Sequence, residues 1–309
     1  MAYRLLLGRE PESAAVVEHH SRNASSLAEL RDRFLLSAEF DRARVPKLPL
    51  ALDRGEPMHV EVQAEPWLLR KMFARTEQTW QSLGKSDPFW SVLSSELFRK
   101  PNFDQNAAAF YESGRLDLDR LSAWLNRNGI HGFGPQHTCC EYGCGTGRVT
   151  GWLASRFSRV IACDISEPHL ALAARHIEES GRGDVCFRHI ESIETLNSLE
   201  AVDLIFSFLV LQHNPPPVMA FILEKLLGSL KPGGVAFFQV PTYHAAYRFV
   251  AGQYVDQPET GEIEVHFLPQ REVYAIAEVQ GCRVLEVQPD DMLGQPYCIS
   301  DTFLLQKRG

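Results

Sequence analysis

Residues 138–166 contain the feature that most constrains the fold, which is two short apolar runs separated by a glycine-rich loop and an amphipathic helix. The first run, Thr138 to Tyr142, reads as an extended segment that stops at Gly143. The second run, Val160 to Cys163, follows the helix and ends on Asp164. A strand, a crossover helix and a second strand predict a parallel sheet, in which ligands bind beyond the carboxyl ends of the strands. The loop and the acid both belong to that edge.

The spacing of the glycines excludes two common nucleotide-binding motifs. Gly143, Gly145 and Gly147 alternate along the loop, and the missing Cβ atoms let a ligand approach the backbone closely. The dinucleotide fingerprint G-x-G-x-x-G needs a third glycine where this chain has Arg148 or Thr150. The phosphate loop needs a lysine directly after its glycines, and none follows here. The loop therefore offers no strong phosphate cradle.

Acidic residues on either side of the loop indicate a different ligand. Glu141 lies at the end of the first strand, where it suits a cationic group. The N-terminus of the following helix suits a carboxylate, and Asp164 suits the two hydroxyls of a ribose. S-adenosylmethionine carries a cationic group, an amino-acid end and a ribose.

On these residues the chain resembles the class I S-adenosylmethionine-dependent methyltransferases. The motif residues are Glu141, Gly143, Gly145, Gly147 and Asp164. Downstream, Val202 to Ser207 resembles the fourth strand of that family, Val210 to His213 the segment after it, and Leu230 to Gly234 the turn before the fifth strand. The resemblance covers roughly residue 110 to the C-terminus. It implies an α/β fold with a doubly wound, seven-stranded Rossmann-like sheet, in which the last strand lies antiparallel beside the fifth.

The resemblance also implies a set of cofactor contacts for S-adenosylmethionine. The predicted contacts are Glu141, Gly143, Gly145, Gly147, Asp164, Ile165, Glu191, Phe208 and Tyr111. Glu191 is chosen because family members place an acid after the third strand for the adenine amino group, with His189 or a backbone group as the alternatives. Tyr111 is chosen because similar enzymes place an aromatic residue across the cofactor entrance. Its alternative role is core packing.

Candidates for catalysis follow the fourth and fifth strands. A sulfonium methyl group is already activated, so the enzyme mainly aligns a nucleophile and excludes water. A hydroxyl acceptor must also lose its proton, for which a general base helps. His213, Tyr243 and His244 are the predicted catalytic residues, and His266 is a weaker base candidate. The alternative for His213 is packing or a hydrogen bond to loop backbone. No metal site is predicted.

The sequence divides into four predicted parts. Residues 1–46 form a small helical domain, 47–57 a linker rich in proline and glycine, 58–130 a helical cap segment, and 131–309 the S-adenosylmethionine-binding domain. Ser26 and Glu29 predict a capping box in the first part. The run Phe34 to Phe40 resembles a short helical unit that bacteria often attach to glycosyltransferases and glycan-linked methyltransferases. Within helix Glu167 to Ser180, His169 and His176 are expected at the surface.

Composition limits the partners and the compartment. The formal net charge of −8 argues against nucleic acid as a partner, because phosphate binding needs a basic surface. No apolar run is long enough to span a membrane, and no signal peptide is recognised. The seven cysteines are an odd number and fall mostly in predicted strands, which indicates free thiols and a cytoplasmic protein.

The predicted function is S-adenosylmethionine-dependent O-methylation of a bacterial saccharide or glycan precursor. A natural product or lipid is the alternative small-molecule acceptor. A binding module that keeps the fold without transferring a methyl group is the alternative from another functional class. The sequence does not determine the oligomeric state.

Overall fold

The computed structural model describes residues 3, 11, 13–35, 37, 57–245, 247–293 and 298–309. These residues fall into two compact units, one within residues 1–52 and the other within residues 53–293 and 297–309. Most of the predicted linker and most of the run Phe34 to Phe40 lie outside the described residues. The predicted division at residues 46 and 57 therefore stays a prediction.

Among its described residues, the first unit contains the short helices α1 (Ala14–Asn23) and α2 (Leu27–Leu35). One of the two hydrogen bonds of the capping box predicted for α2 is present, and the other has a different donor. The N–H of Glu29 donates to Ser26 Oγ at 3.1 Å, and the carboxylate of Glu29 accepts from the N–H of Ser25 at 2.7 Å. The reciprocal bond therefore reaches one residue further back than the motif predicts.

The second unit contains eight helices and nine strands among the described residues. The helices are α3 (Pro66–Ser86), α4 (Pro88–Val92), α5 (Phe103–Arg127), α6 (Thr150–Ala154), α7 (Glu167–Ser180), α8 (Pro216–Gly228), α9 (Ala251–Asp256) and α10 (Gln270–Val279). The strands are β1 (His59–Val60), β2 (Thr138–Tyr142), β3 (Arg159–Asp164), β4 (Val185–His189), β5 (Val202–Ser207), β6 (Leu230–His244), β7 (Arg248–Phe249), β8 (Cys282–Asp290) and β9 (Cys298–Lys307).

Seven strands form one sheet in the order β4-β3-β2-β5-β6-β9-β8, and β1 pairs with β7 in a separate two-stranded sheet. The strands from β4 to β6 run parallel, and β9 runs antiparallel to both of its neighbours. The predicted doubly wound, seven-stranded sheet is confirmed, including the antiparallel last strand. Glu141 pairs in register with Ala162 and Phe206, so the carboxyl ends of β2, β3 and β5 lie side by side.

Both faces of the sheet are buried, as a parallel sheet requires. On one face, Ile205 and Phe238 pack with the apolar side of α8. On the other face, Leu204 and Phe237 pack with Trp124 of α5. Leu204 and Ile205 therefore point to opposite faces, which is the alternation of a strand. Helix α5, from the predicted cap segment, is thus part of the core of the main domain.

Six of the seven cysteines are buried, and Cys186 is half-buried. Among the described residues, no helix is long and apolar enough to cross a membrane. The cytoplasmic location stays a prediction.

Candidate active site

A pocket opens where β2, β3 and β5 end, and we call it the strand-end pocket. Residues at the ends of the three strands and in the segments after them form its floor, and residues of the helical cap segment form its roof. The floor includes Glu141, Gly143, Gly145, Arg148, Asp164, Ile165, Phe208, Val210, His213 and Asn214. The roof includes Thr76, Trp80, Ser91 and Val92. The pocket lies at the edge that the order of strand, loop and acid predicted.

Two glycines of the loop are required by conformation and by close packing. Gly143 has φ +79°, and a Cβ there would lie 2.3 Å from a methyl carbon of Val210. Gly145 has φ +53°, and a Cβ there would lie 2.6 Å from Val92 Cγ2. Other residues adopt this left-handed conformation only at a cost. The bare glycines thus let Val210, from the segment after β5, and Val92, from α4, pack directly on the loop.

Asp164 binds the backbone on both sides of the pocket floor. Its Oδ2 accepts from the N–H of Gly145 at 2.8 Å, and its Oδ1 accepts from the N–H of Ser166 at 2.9 Å. The side chain is buried but lines the pocket. A carboxylate has about four acceptor positions, so each oxygen retains one for a ligand hydroxyl.

Glu141 is buried at the end of β2 and hydrogen-bonds to the helix after the loop. The hydroxyl of Thr150 donates to Glu141 Oε2 at 2.6 Å. Burial raises the pKa of Glu141 to about 8, and the nearby Asp164 and Asp117 add to this, while Thr150 and Arg148 oppose it. At neutral pH the carboxyl is therefore mainly protonated until a cation approaches.

His213 ends the short turn Leu211–His213 that follows β5. Its Nδ1 lies 2.9 Å from the main-chain oxygen of Glu264, and its Nε2 lies 3.3 Å from the amide nitrogen of Gln212. Because a carbonyl oxygen only accepts, Nδ1 carries the proton. Burial lowers the pKa of His213 to about 4, so the ring is neutral at pH 7. The hydrogen bond to loop backbone, left open as an alternative, is present alongside the pocket-lining position.

The backbone is strained four residues before His213. Leu209 has φ +61°, the only positive φ outside glycine among the described residues. Left-handed conformations of bulky residues cost on the order of 1 kcal/mol or more and occur preferentially at functional sites. The N–H of Leu209 donates to Gln239 Oε1 at 3.3 Å, which helps to hold the turn against the neighbouring strand.

The structure does not bring every predicted site residue to the strand-end pocket. Gly147 packs against Ala173 instead, and Tyr111 stacks on the ring of His176 at 3.5 Å between centroids. Glu191 is exposed, because the chain leaves the sheet after the buried Ile190.

Three further side chains also lie outside the pocket floor. His189, the alternative to Glu191, has its Nε2 3.1 Å from the main-chain oxygen of Ile165. It therefore binds the main chain of a residue that lines the pocket. Tyr243 and His244 end β6, where they pair with Ile299 and Cys298 of β9. The cofactor and catalytic roles of these residues stay predictions.

The sequence analysis predicted neither the residues that form the roof of the pocket nor the place of His169 in its lining. His169 was expected at the surface, which is wrong, because it is 1% exposed and lines the pocket. Its Nδ1 lies 2.7 Å from Ser166 Oγ and its Nε2 lies 2.9 Å from Ser91 Oγ. Its position four residues before the buried Ala173 puts it on the inner face of α7, a signal that the helical period carries.

Metal ligands are not grouped in the part of the chain that the structure describes. No cluster of three or more His, Cys, Asp or Glu side chains there has the geometry to hold a metal ion.

Comparison with known families agrees with this geometry. Residues 140–234 match a family model described as a methyltransferase domain. These residues match a methyltransferase domain, and the sheet that contains them has the seven-stranded form with an antiparallel last strand that the resemblance to class I S-adenosylmethionine-dependent methyltransferases predicts. The matched range begins at the end of β2 and includes the glycine loop, Asp164 and His213.

Two solved methyltransferase structures share the fold. Magnesium protoporphyrin IX methyltransferase from Synechocystis PCC 6803, with bound SAH, superposes with a TM-score of 0.53 at 16% identity, over 77% of this chain and 99% of that one. The N-methyltransferase NodS from Bradyrhizobium japonicum, also with SAH, gives 0.50 at 17% identity over 76% of this chain and 100% of that one.

Curated relatives include ubiquinone biosynthesis O-methyltransferases. The relative from Idiomarina loihiensis is 34% identical over 100 residues, which is 32% of this chain and 40% of that protein. The relative from Stutzerimonas stutzeri is 28% identical over 121 residues, which is 38% of this chain and 51% of that protein. The relative from Aromatoleum aromaticum is 26% identical over 194 residues, 60% of this chain and 76% of that protein. The chain thus spans about half or less of the length of the first two.

The residues of the strand-end pocket fit S-adenosylmethionine, the cofactor that the sequence predicts. Asp164 retains acceptor positions for ribose hydroxyls, and the glycine loop gives close access to the backbone. Glu141 and Asp164 are acids that line the pocket, which suits a ligand with a positive charge.

Proposed function

We propose that this protein transfers the methyl group of S-adenosylmethionine to a hydroxyl oxygen of a small, neutral acceptor. The observation that supports this is the composition of the strand-end pocket. The cofactor-type residues Gly143 and Asp164 share one cavity with Trp80 and the neutral ring of His213. An aromatic surface and a neutral hydrogen-bonding ring suit an uncharged acceptor with a hydroxyl group.

The protein's own residues would act by binding, orienting and excluding water. When bound, S-adenosylmethionine supplies a methyl group that is already activated by the positive sulfur. Asp164 would hold the ribose, and Trp80 and Val92 would cover the cofactor from above. Nε2 of His213 carries a lone pair, and its contact with Gln212 at 3.3 Å is long, so a hydroxyl can compete for it. The hydrogen bond from the acceptor hydroxyl to Nε2 would orient the acceptor oxygen and draw its proton.

Oxygen is proposed as the methylated atom because the three relatives described above carry O-methyltransferase names. The partial overlap with two of them leaves the acceptor open. A bacterial saccharide or glycan precursor is supported by the resemblance of Phe34 to Phe40 to units attached to glycan-modifying enzymes. A lipid or natural product is supported by the link of the relatives to ubiquinone biosynthesis. A non-catalytic module is disfavoured because Glu141 and Asp164 are both in place.

An acceptor screen with methyl-labelled S-adenosylmethionine tests the proposal. The panel contains free sugars, neutral oligosaccharides, ubiquinone precursors and phosphoethanolamine as an amine. Label transfer to a hydroxyl of a neutral acceptor is the expected result, and the sugar and precursor arms distinguish the two acceptor classes. Transfer to the amine alone would contradict O-methylation. Tight cofactor binding without transfer to any compound would favour the binding module.

A further inference from the structure

Arg75 of α3 fastens the segment after α9 to the helical cap. Its side chain is nine-tenths buried and donates to four acceptors. Nη1 donates to the main-chain oxygens of Tyr254 and Gln257, each at 3.2 Å, and Nη2 donates to that of Pro258 at 3.4 Å. Nη2 also binds Glu264 Oε1 at 2.9 Å. Residues 257–269 contain no helix or strand, so these bonds help to define the path of the segment.

Glu264 connects this anchor to the pocket. Its Oε2 accepts from Tyr254 Oη at 2.6 Å and from His266 Nε2 at 3.0 Å. Burial opposes ionisation, but His266, Tyr254 and Arg75 together lower the pKa of Glu264 to about 2. The main-chain oxygen of the same residue accepts from Nδ1 of His213 at 2.9 Å. The carboxylate is thus held by three partners while its own carbonyl holds the histidine.

The position of this carbonyl decides which form of the histidine ring faces the acceptor. A neutral imidazole carries its proton on one nitrogen, and a partner on the other side selects which one. With Nδ1–H bound to Glu264, Nε2 keeps the lone pair. If the carbonyl moved away, only the long contact between Nε2 and the Gln212 amide nitrogen at 3.3 Å would favour this form, and part of the protein would present an N–H donor instead.

We propose that Arg75 and Glu264 are positioning residues that hold His213 in the Nδ1–H tautomer. The strand-end pocket then selects an acceptor that donates a hydrogen bond, which is a neutral hydroxyl rather than an anionic oxygen. This rests on the proposed function and goes beyond it by assigning specificity to a salt bridge behind the pocket. Neither Arg75 nor Glu264 lines the pocket itself.

Arg127 provides a matched control. It also binds a glutamate, with its Nε 2.8 Å from Glu286 Oε1, and its guanidinium lies 4.4 Å from the ring centroid of Trp124. This pair joins α5 to β8, and neither residue lines the strand-end pocket. Arg75 likewise lies 4.3 Å from the ring centroid of Tyr254. R127M therefore removes an arginine that binds a carboxylate and an aromatic ring, at a more exposed place and without disturbing the segment that holds His213.

The experiment measures the His213 tautomer by ¹⁵N NMR in the free protein, and separately kcat and KM. H213N identifies the ring signals. In R75M we expect a mixture of tautomers and a kcat lowered about tenfold or more, with little change in cofactor affinity. E264Q should change both readouts in the same direction but less, because it keeps the main-chain carbonyl. R127M should match the wild type in both.

A wild-type tautomer and wild-type kcat in folded R75M would overturn the proposal. If R75M does not fold, R75K and E264Q decide by the same two readouts, because a lysine cannot reproduce the planar fork of the guanidinium. The NMR readout needs no acceptor, so it stands even if no methyl transfer is found. Suppose that the wild type transfers the methyl group and that R75M and R127M have the same His213 tautomer and the same kcat. This result would refute the positioning role and leave the proposed function intact.

Discussion

The main-chain N–H of Gly145 donates to Asp164 Oδ2 at 2.8 Å, which joins the glycine loop to the acid at the end of the next strand. The residue proposed to bind the ribose therefore also shapes the loop on which the cofactor lies. Ser166 occupies the second carboxylate oxygen at 2.9 Å. Any substitution of Asp164 therefore acts on ligand contacts and on the loop together, and a control must separate these effects.

Asp164→Ala should weaken the binding of S-adenosylmethionine and S-adenosylhomocysteine by about tenfold to a hundredfold. Hydrogen bonds to a charged group contribute about 1.5–3 kcal/mol each, and at least one to the ribose would be lost. Calorimetric titration measures the affinity. Asp203→Ala is the control, since Asp203 also accepts from a backbone N–H, that of Thr138 at 2.9 Å, at the opposite end of the sheet. Equal losses of affinity in both variants would contradict the ribose assignment.

Glu141→Gln should alter the pH dependence of stability. Burial raises the pKa of Glu141 from 4.5 to about 8, so the folded protein holds a proton that the unfolded chain releases. The stability linked to this group is fully present below pH 4.5 and is lost as the pH rises through 8.

Urea unfolding of wild type and Glu141→Gln between pH 5 and pH 8 measures this effect. Relative to the wild type, the amide variant should gain up to about 1.4 kcal/mol per pH unit within that window. Parallel stability curves would show that Glu141 is ionised throughout.

His213→Phe should reduce turnover more than the double substitution Tyr243→Phe, His244→Phe, while each protein keeps its affinity for S-adenosylmethionine. The reason is that His213 lines the strand-end pocket, whereas Tyr243 and His244 lie at the end of β6. We expect a loss of about 10²-fold or more in kcat for His213→Phe. Steady-state kinetics with the acceptor from the screen measures it. A larger loss for the pair would place the acceptor beside β6.

Gly114→Ala should destabilise the protein by about 1–3 kcal/mol, although alanine is the better helix former. A Cβ at Gly114 would lie 2.1 Å from the main-chain oxygen of Arg148, an atom that cannot move without displacing the glycine loop. Gly252→Ala in α9 is the control, because nothing lies within 4 Å of its Cβ position. The control should gain up to about 1 kcal/mol. Urea denaturation distinguishes the two.

The sheet could be predicted closely because each strand is a short apolar run with a clear stop. Strands β2 (Thr138–Tyr142) and β5 (Val202–Ser207) have the predicted bounds, and so does helix α7 (Glu167–Ser180). Glycines and acids after apolar runs are local signals. The predicted floor of the pocket follows from the same signals, since parallel strands place their carboxyl ends at one edge.

The roof of the pocket and the hydrogen bond that holds His213 could not be predicted, because both depend on contacts between distant parts of the chain. Trp80 is one of many aromatic residues in the cap segment, and only tertiary packing places its ring 5.0 Å from that of His213. Glu264, which holds His213, lies 51 residues further along the chain in a segment without regular structure. For Tyr111 the resemblance to similar enzymes predicts a cofactor contact, and tertiary packing stacks its ring on His176. Its cofactor role stays a prediction.

Calorimetric titration of the purified protein with S-adenosylmethionine, S-adenosylhomocysteine and NAD tests the central claim most directly. The arrangement of Gly143, Gly145, Glu141 and Asp164 predicts that both sulfur ligands bind and that NAD does not. Binding of NAD, or failure of both sulfur ligands to bind, would contradict the cofactor assignment and with it the proposed methyl transfer.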